Sequence, residues 1–194
     1  MNNDVRSPGR TILAWIACNL LGWFTAAALA LALRIPDSPF NGPGLLIAVV
    51  VAPALAQWLV LRRLHGLTPL WLVTIPIGCL IFVGLVSAIP ASVWQLIDDE
   101  GTGTISALYA LLGALVGAGQ WLILRRHFGA AGIWIAASAA GTGLGFVGVL
   151  SIDLINRSGF ATYTVVILTY AILSGAALSW LLPRARPTKD IRAA

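Results

Sequence analysis

The sequence predicts an all-α membrane protein of six transmembrane helices, arranged as three tandem helical hairpins in a pseudo-threefold bundle with both termini cytoplasmic. Three observations carry this expectation: long charge-free windows, one-sided arginine and an internal repeat. Of the residues, 59% are hydrophobic and 10% charged, whereas a soluble domain carries about 25% charged residues. Stretches free of Asp, Glu, Lys and Arg run 11 to 33, 38 to 61, 66 to 97, 101 to 124, 127 to 152 and 158 to 183. A helix needs about 20 apolar residues to cross a hydrocarbon core about 30 Å thick. Each window therefore holds one span, and only 66 to 97 is much longer than required. A membrane barrel would instead alternate in segments of about ten residues.

The first window follows "MNNDVRSPGR" and ends near Ala30-Leu31-Ala32, a pattern shared with cleaved signal peptides. It is expected to be retained, because its apolar run of 23 residues exceeds the usual signal core of about 7 to 15. It also opens a Trp-to-Gly spacing, Trp15 to Gly22, that returns in the third window as Trp71 to Gly78 and in the fifth as Trp134 to Gly141. Seven residues make about two helical turns, so each Trp and Gly share a face. The second window closes on "AQWLVLRRLHG", residues 56 to 66, and the fourth on "GQWLILRRHFG", residues 119 to 129. The sixth closes on a weaker version, Ser179-Trp180 with Arg184 and Arg186. The chain is thus expected to be one transmembrane domain, 1–194, with repeat units of about 11–63, 67–126 and 130–186 and cytoplasmic tails at 1–10 and 187–194.

Ten basic residues flank one side of these windows: Arg6, Arg10, Arg62, Arg63, Arg125, Arg126, Arg184, Arg186, Lys189 and Arg192. Only Arg34 and Arg157 flank the other, with Asp37, Asp98, Asp99, Glu100 and Asp153. Positive charge marks the cytoplasmic side of short loops, so the net charge of +5 reads as membrane sidedness and not as nucleic-acid binding. Trp15, Trp58, Trp71, Trp121, Trp134 and Trp180 are expected as interface anchors, and Gln57, Gln120 and Ser179 as polar contacts between helix ends. Arg62, Arg63, Arg125, Arg126, Arg184 and Arg186 are expected to form a basic cytoplasmic rim. Anionic lipid headgroups or an acidic partner subunit suit it, since the planar guanidinium bonds phosphate in two places.

Small residues four apart, such as Gly22, Ala26 and Ala30, Ala48, Ala52 and Ala56, Gly113 and Gly117, Gly141 and Gly145, and Ala171, Gly175 and Ser179, mark where helices approach closely. Pro53, Pro76 and Pro90 are expected to interrupt two helices. "PASVWQLIDDEG" after Pro90 is expected as an outer-surface turn. No ionisable side chain falls in the middle of a window, although ion-coupled transport and intramembrane catalysis normally place one there. Cys18 and Cys79 lie inside windows as small apolar residues. His65 and His127 follow the double arginines as loop residues. Neither a cofactor nor a metal site is expected.

"GAGQWLILRR" together with "GIWIAASAAGTGLG" resembles a set of bacterial multi-spanning membrane proteins bearing repeated Gln-Trp-Leu-x-Leu-Arg-Arg segments and no assigned activity. The resemblance covers helices two to five; the third unit departs from it at Ser179, Pro183 and Ala185. It implies a multi-pass protein of the bacterial inner membrane and supplies no catalytic residue. The functional expectation is a non-enzymatic, lipid-contacting scaffold or accessory subunit of a larger membrane complex. The alternative is a small transporter or channel for a neutral or amphipathic solute along the bundle axis.

Overall fold

The computed structural model describes residues 8–32, 43–65, 67–90, 92–93, 101–151 and 159–185. They form six helices: α1 Pro8–Ala32, α2 Pro43–His65, α3 Trp71–Ser87, α4 Thr102–Leu124, α5 Ile133–Ser151 and α6 Gly159–Leu181, the last continued by a 3₁₀ turn, Leu182–Arg184. No strand occurs among the described residues, only an isolated bridge between Phe128 and Ala185. Four of the helices are long and apolar enough to cross a membrane, over Gly9–Ala28, Gly103–Leu124, Ile133–Leu150 and Tyr163–Arg184. In α2 the side chains of 43–50 lie outside the described residues. The long third window does not become a long helix. α3 has 17 residues, about 26 Å of rise, slightly less than a hydrocarbon core.

That helix ends where it does for a local reason. The Ala88 N–H bonds back to the Gly84 and Leu85 carbonyls, and Pro90 disfavours helical backbone in the residue before it. Pro90 therefore lies beyond a helix instead of interrupting one. Pro53 and Pro76 do lie inside α2 and α3, and both helices continue through them. Residues 94–100, including the acidic part of the outer segment, lie outside the described residues, as do Arg34, Asp153 and Arg157.

Each helix packs on the next, α1 on α2 through to α5 on α6, and α6 packs back on α1. The six close a ring. Glycines seven residues after the tryptophans permit the approach. A Cβ on Gly22 would meet the Pro53 Cα at 2.8 Å, one on Gly78 the Val116 Cα at 3.0 Å, and one on Gly141 the Tyr170 Cα at 2.8 Å. Backbone thus meets backbone at α1–α2, α3–α4 and α5–α6. Gly175 provides the closing contact, lying against the Trp15 ring. Lipid offers no hydrophobic reward for helix association, so such packing has to supply it.

The main core gathers at one end of the ring: Trp15, Leu61, Leu67, Trp71, Leu124, Phe128, Trp134, Leu178 and Leu181, all buried. It forms where the even helices finish and the odd ones begin. The short turns between them contribute Leu67 and Phe128 to it. A smaller cluster, Phe146, Val149 and Val166, joins α5 to α6 toward the other end, where Phe146 stacks on Tyr109 of α4.

Trp134 touches the rings of both other core tryptophans, whereas Trp180 is 40% exposed. Trp134→Ala is therefore expected to cost about 3–5 kcal/mol, as for large core truncations, and Trp180→Ala under about 1 kcal/mol. Reversible unfolding in mixed detergent, followed by circular dichroism, checks the difference.

Candidate functional site

Tryptophan is large and apolar but carries one N–H, which seeks an acceptor when buried. Trp15, Trp71 and Trp134 are each 0% exposed, so their predicted place as interface anchors is corrected. They form an edge-to-face cluster, with Trp134 ring centroids 5.6 Å from Trp15 and 5.9 Å from Trp71. Each indole N–H donates to an even helix: Trp71 to Gln57 Oε1 at 3.3 Å, Trp134 to Gln120 Oε1 at 2.7 Å, and Trp15 to Ser174 Oγ at 2.9 Å. The bonds tie the second helix of one hairpin to the first of the next, and the third returns to α1.

Ser174, not Ser179, thus occupies the position of the two glutamines. Packing gives the same register. Pro53, Val116 and Tyr170 sit against the three glycines; four residues on come Gln57, Gln120 and Ser174; four further come Leu61, Leu124 and Leu178, each 0% exposed. Ser179 only donates to the Ala176 carbonyl within its own helix. In the third unit the Trp180–Arg184 pair marks the helix end, whereas the buried face is set by packing at Ser174, five residues before Ser179. The Ser174 pairing with Trp15, 159 positions away, joins the last helix to the first.

The polar groups form a layer around the tryptophans. Gln57 Nε2 donates to Asn19 Oδ1 at 2.7 Å, and Asn19 Nδ2 donates to the Trp15 carbonyl at 2.8 Å. The Tyr170 phenol lies beside Gln57, Gln120, Ser138 and Ser174. Gln120 Nε2 and Ser138 Oγ remain without a hydrogen-bond partner although both residues are fully buried. Next to this layer lies an axial cavity of about 180 Å³, with side chains from all six helices in its wall. Asn19, Gln57, Thr142, Tyr109, Tyr163 and Tyr170 are its polar elements; Pro53, Val116, Phe146, Val166 and Ile167 represent the apolar remainder. Thr142 is committed to backbone carbonyls, including Tyr109 O at 2.8 Å across the α4–α5 contact.

At the tryptophan end, Trp58, Trp121 and Trp180 each carry an arginine over the ring four residues on. The guanidinium carbons of Arg62, Arg125 and Arg184 stand 5.0, 5.0 and 3.8 Å from the ring centroids. Trp58 also donates to the Leu67 carbonyl at 3.3 Å, pinning the α2–α3 turn. Arg63 and Arg126 are exposed beside them. Among the described residues the charged side chains are Arg10 and these five arginines, all exposed and all at this end. Arg186 and the side chain of His65 lie outside the described residues. His127 is half-buried in the α4–α5 turn, and burial followed by the neighbouring Arg126 lowers its pKa below the ordinary histidine value.

The chain matches no protein-family model, no curated protein and no solved structure.

Two tests follow from this arrangement. Ser174→Ala leaves the buried Trp15 N–H unpaired and is expected to destabilise by about 1–3 kcal/mol, while Ser179→Ala changes stability by less than about 0.5 kcal/mol; paired unfolding curves compare them. His127, with its folded pKa below the unfolded one, favours folding above the unfolded value and loses that contribution as pH falls through the folded one. The melting temperature should therefore drop as pH falls below the ordinary histidine value of about 6.5, and drop less in His127→Gln.

Proposed function

We propose that this chain is a non-enzymatic integral membrane protein of the bacterial inner membrane, with six spans arranged as three hairpins about a pseudo-threefold axis and both termini cytoplasmic. In this reading it is a lipid-contacting scaffold or accessory subunit. The observation that carries it is the threefold recurrence of a tryptophan with an arginine over its ring at one end of the bundle. A ring that lies at headgroup depth holds the guanidinium at the phosphate layer, and arginine bonds phosphate in a fork. A cytoplasmic leaflet rich in anionic lipid attracts such a rim, at about 1 kcal/mol per basic residue. The resemblance to bacterial multi-spanning proteins and the sided arginine count support the same placement.

A second reading, a binding or passage site for a neutral or amphipathic solute, is favoured by the axial cavity. Asn19 and Gln57, which bond to Trp15 and Trp71, line it, so passage through the ring requires the tryptophan cluster to part, and binding alone does not.

Native mass spectrometry of the protein extracted in mild detergent tests the scaffold reading. Phosphatidylglycerol or cardiolipin should be retained, together with partner chains, and the combined Arg62→Gln, Arg125→Gln and Arg184→Gln variant should lose most of the lipid. A lone monomer with no lipid preference overturns it.

A further inference from the structure

We infer that the arginine rim holds two anionic phospholipid headgroups, one at Arg62 and Arg63 and one at Arg125 and Arg126, and that Arg184 caps its own helix and holds none. This rests on the scaffold reading, because both need the rim at headgroup depth. All three corners carry a guanidinium over the indole four residues before it, but they differ in what its N–H groups meet. Arg184 Nη1 donates to the Trp180 carbonyl at 2.6 Å, with its guanidinium carbon 3.8 Å from the ring centroid. Carbonyls in the last turn of a helix lack partners within it, and a basic side chain there satisfies one. In α4 the Trp121 carbonyl takes the Arg125 backbone N–H instead, at 2.8 Å. Helix α2 continues past Arg62 to His65, so there too the backbone serves the tryptophan carbonyl. Among the described residues the side chains of Arg62, Arg63, Arg125 and Arg126 make no hydrogen bond or ion pair.

Three further differences set the same two corners apart. Arg63 and Arg126 follow Arg62 and Arg125 directly and are exposed, whereas Ala185 follows Arg184. Consecutive Cα atoms stand about 3.8 Å apart, so each double arginine offers two guanidiniums within the span of one headgroup. The leucine after each tryptophan also differs: Leu59 is 42% and Leu122 49% exposed, but Leu181 is 0% exposed. Finally, Trp58 and Trp121 directly follow the buried Gln57 and Gln120, while Trp180 comes six residues after Ser174. The third tryptophan and arginine therefore stand about 7.5 Å further along their helix. Lying over a ring uses a guanidinium's face and leaves its N–H edge for acceptors. Phosphate bonds such an edge in a fork. A lipid headgroup and a soluble phosphate ester offer the same oxygens; the exposed Leu59 and Leu122 favour the lipid, since its acyl chains have apolar surface to lie on.

The test is native mass spectrometry of the full chain released from phosphatidylcholine nanodiscs doped with phosphatidylglycerol. Two phosphatidylglycerols should be retained per chain. Arg62→Gln with Arg63→Gln should leave one, and so should Arg125→Gln with Arg126→Gln, each lost site weakened about thirtyfold, as for two basic residues at an anionic surface. Arg184→Gln should retain both lipids and lower the melting temperature, as loss of a helix cap does. If a paired Gln variant does not fold, the paired Arg→Lys variant replaces it; this keeps the charge, loses the fork and should weaken its site severalfold. Soluble glycerol 3-phosphate should not displace the lipids; displacement at comparable affinity assigns the sites to a soluble phosphate ester and overturns the lipid assignment. Three retained lipids, or loss of lipid in Arg184→Gln equal to that in the paired variants, overturns the two-site inference and leaves the scaffold reading standing. Partner chains retained without any phosphatidylglycerol overturn the inference as well, and leave the accessory-subunit reading. A lone chain with no lipid overturns both.

Discussion

An indole N–H taken out of water needs an acceptor, and three of them, on Trp15, Trp71 and Trp134, find theirs on helices of neighbouring hairpins. Each such bond is worth well under the cost of leaving its group unmade: side-chain hydrogen bonds between membrane helices average about 0.6 kcal/mol, while an orphaned buried donor costs about 1–3 kcal/mol. The bonds therefore matter less as glue than as a condition on which helix faces which. A hairpin turned about its axis strands its tryptophan. Because the third bond returns to α1, the condition is met only by a closed ring, and the edge-to-face packing of the three rings then fills its end.

Glycine placement and indole pairing reinforce one another. Gly22, Gly78 and Gly141 bring paired helices to backbone contact, and that depth of approach aligns Pro53, Val116 and Tyr170 on the facing helices. One turn later the acceptors Gln57, Gln120 and Ser174 come level with the tryptophans. Beyond this level the ring is less well filled. α3 buries Trp71, Thr74 and Gly78 and nothing in its second half, and the axial cavity opens alongside.

Charge and polarity are thereby separated along the axis. The described arginines are exposed, three of them over the Trp58, Trp121 and Trp180 rings, while uncharged amides, hydroxyls and phenols line the cavity. Trp15, Trp71 and Trp134 pack against one another at the arginine end. The arginine end and the uncharged lining of the cavity are thus separate features of the ring.

The all-helical, membrane-spanning character and the arginine-bearing helix ends were legible in the sequence, because apolar length and the spacing of charges are local properties of the chain. The Trp-to-Gly spacing was legible too, as a shared face. What that face meets was not. Trp15, Trp71 and Trp134 read as interface anchors beside arginine-rich turns, since sequence distance to a charge approximates depth but says nothing of direction toward the axis. Ser174 was hidden because a repeat is aligned on its most distinctive residues, here Trp180 and Arg184, whereas burial follows the helix face that packs. The cavity belongs wholly to the tertiary structure: Asn19, Gln57, Tyr109, Thr142, Tyr163 and Tyr170 come from five helices, and only ring closure brings them around one space.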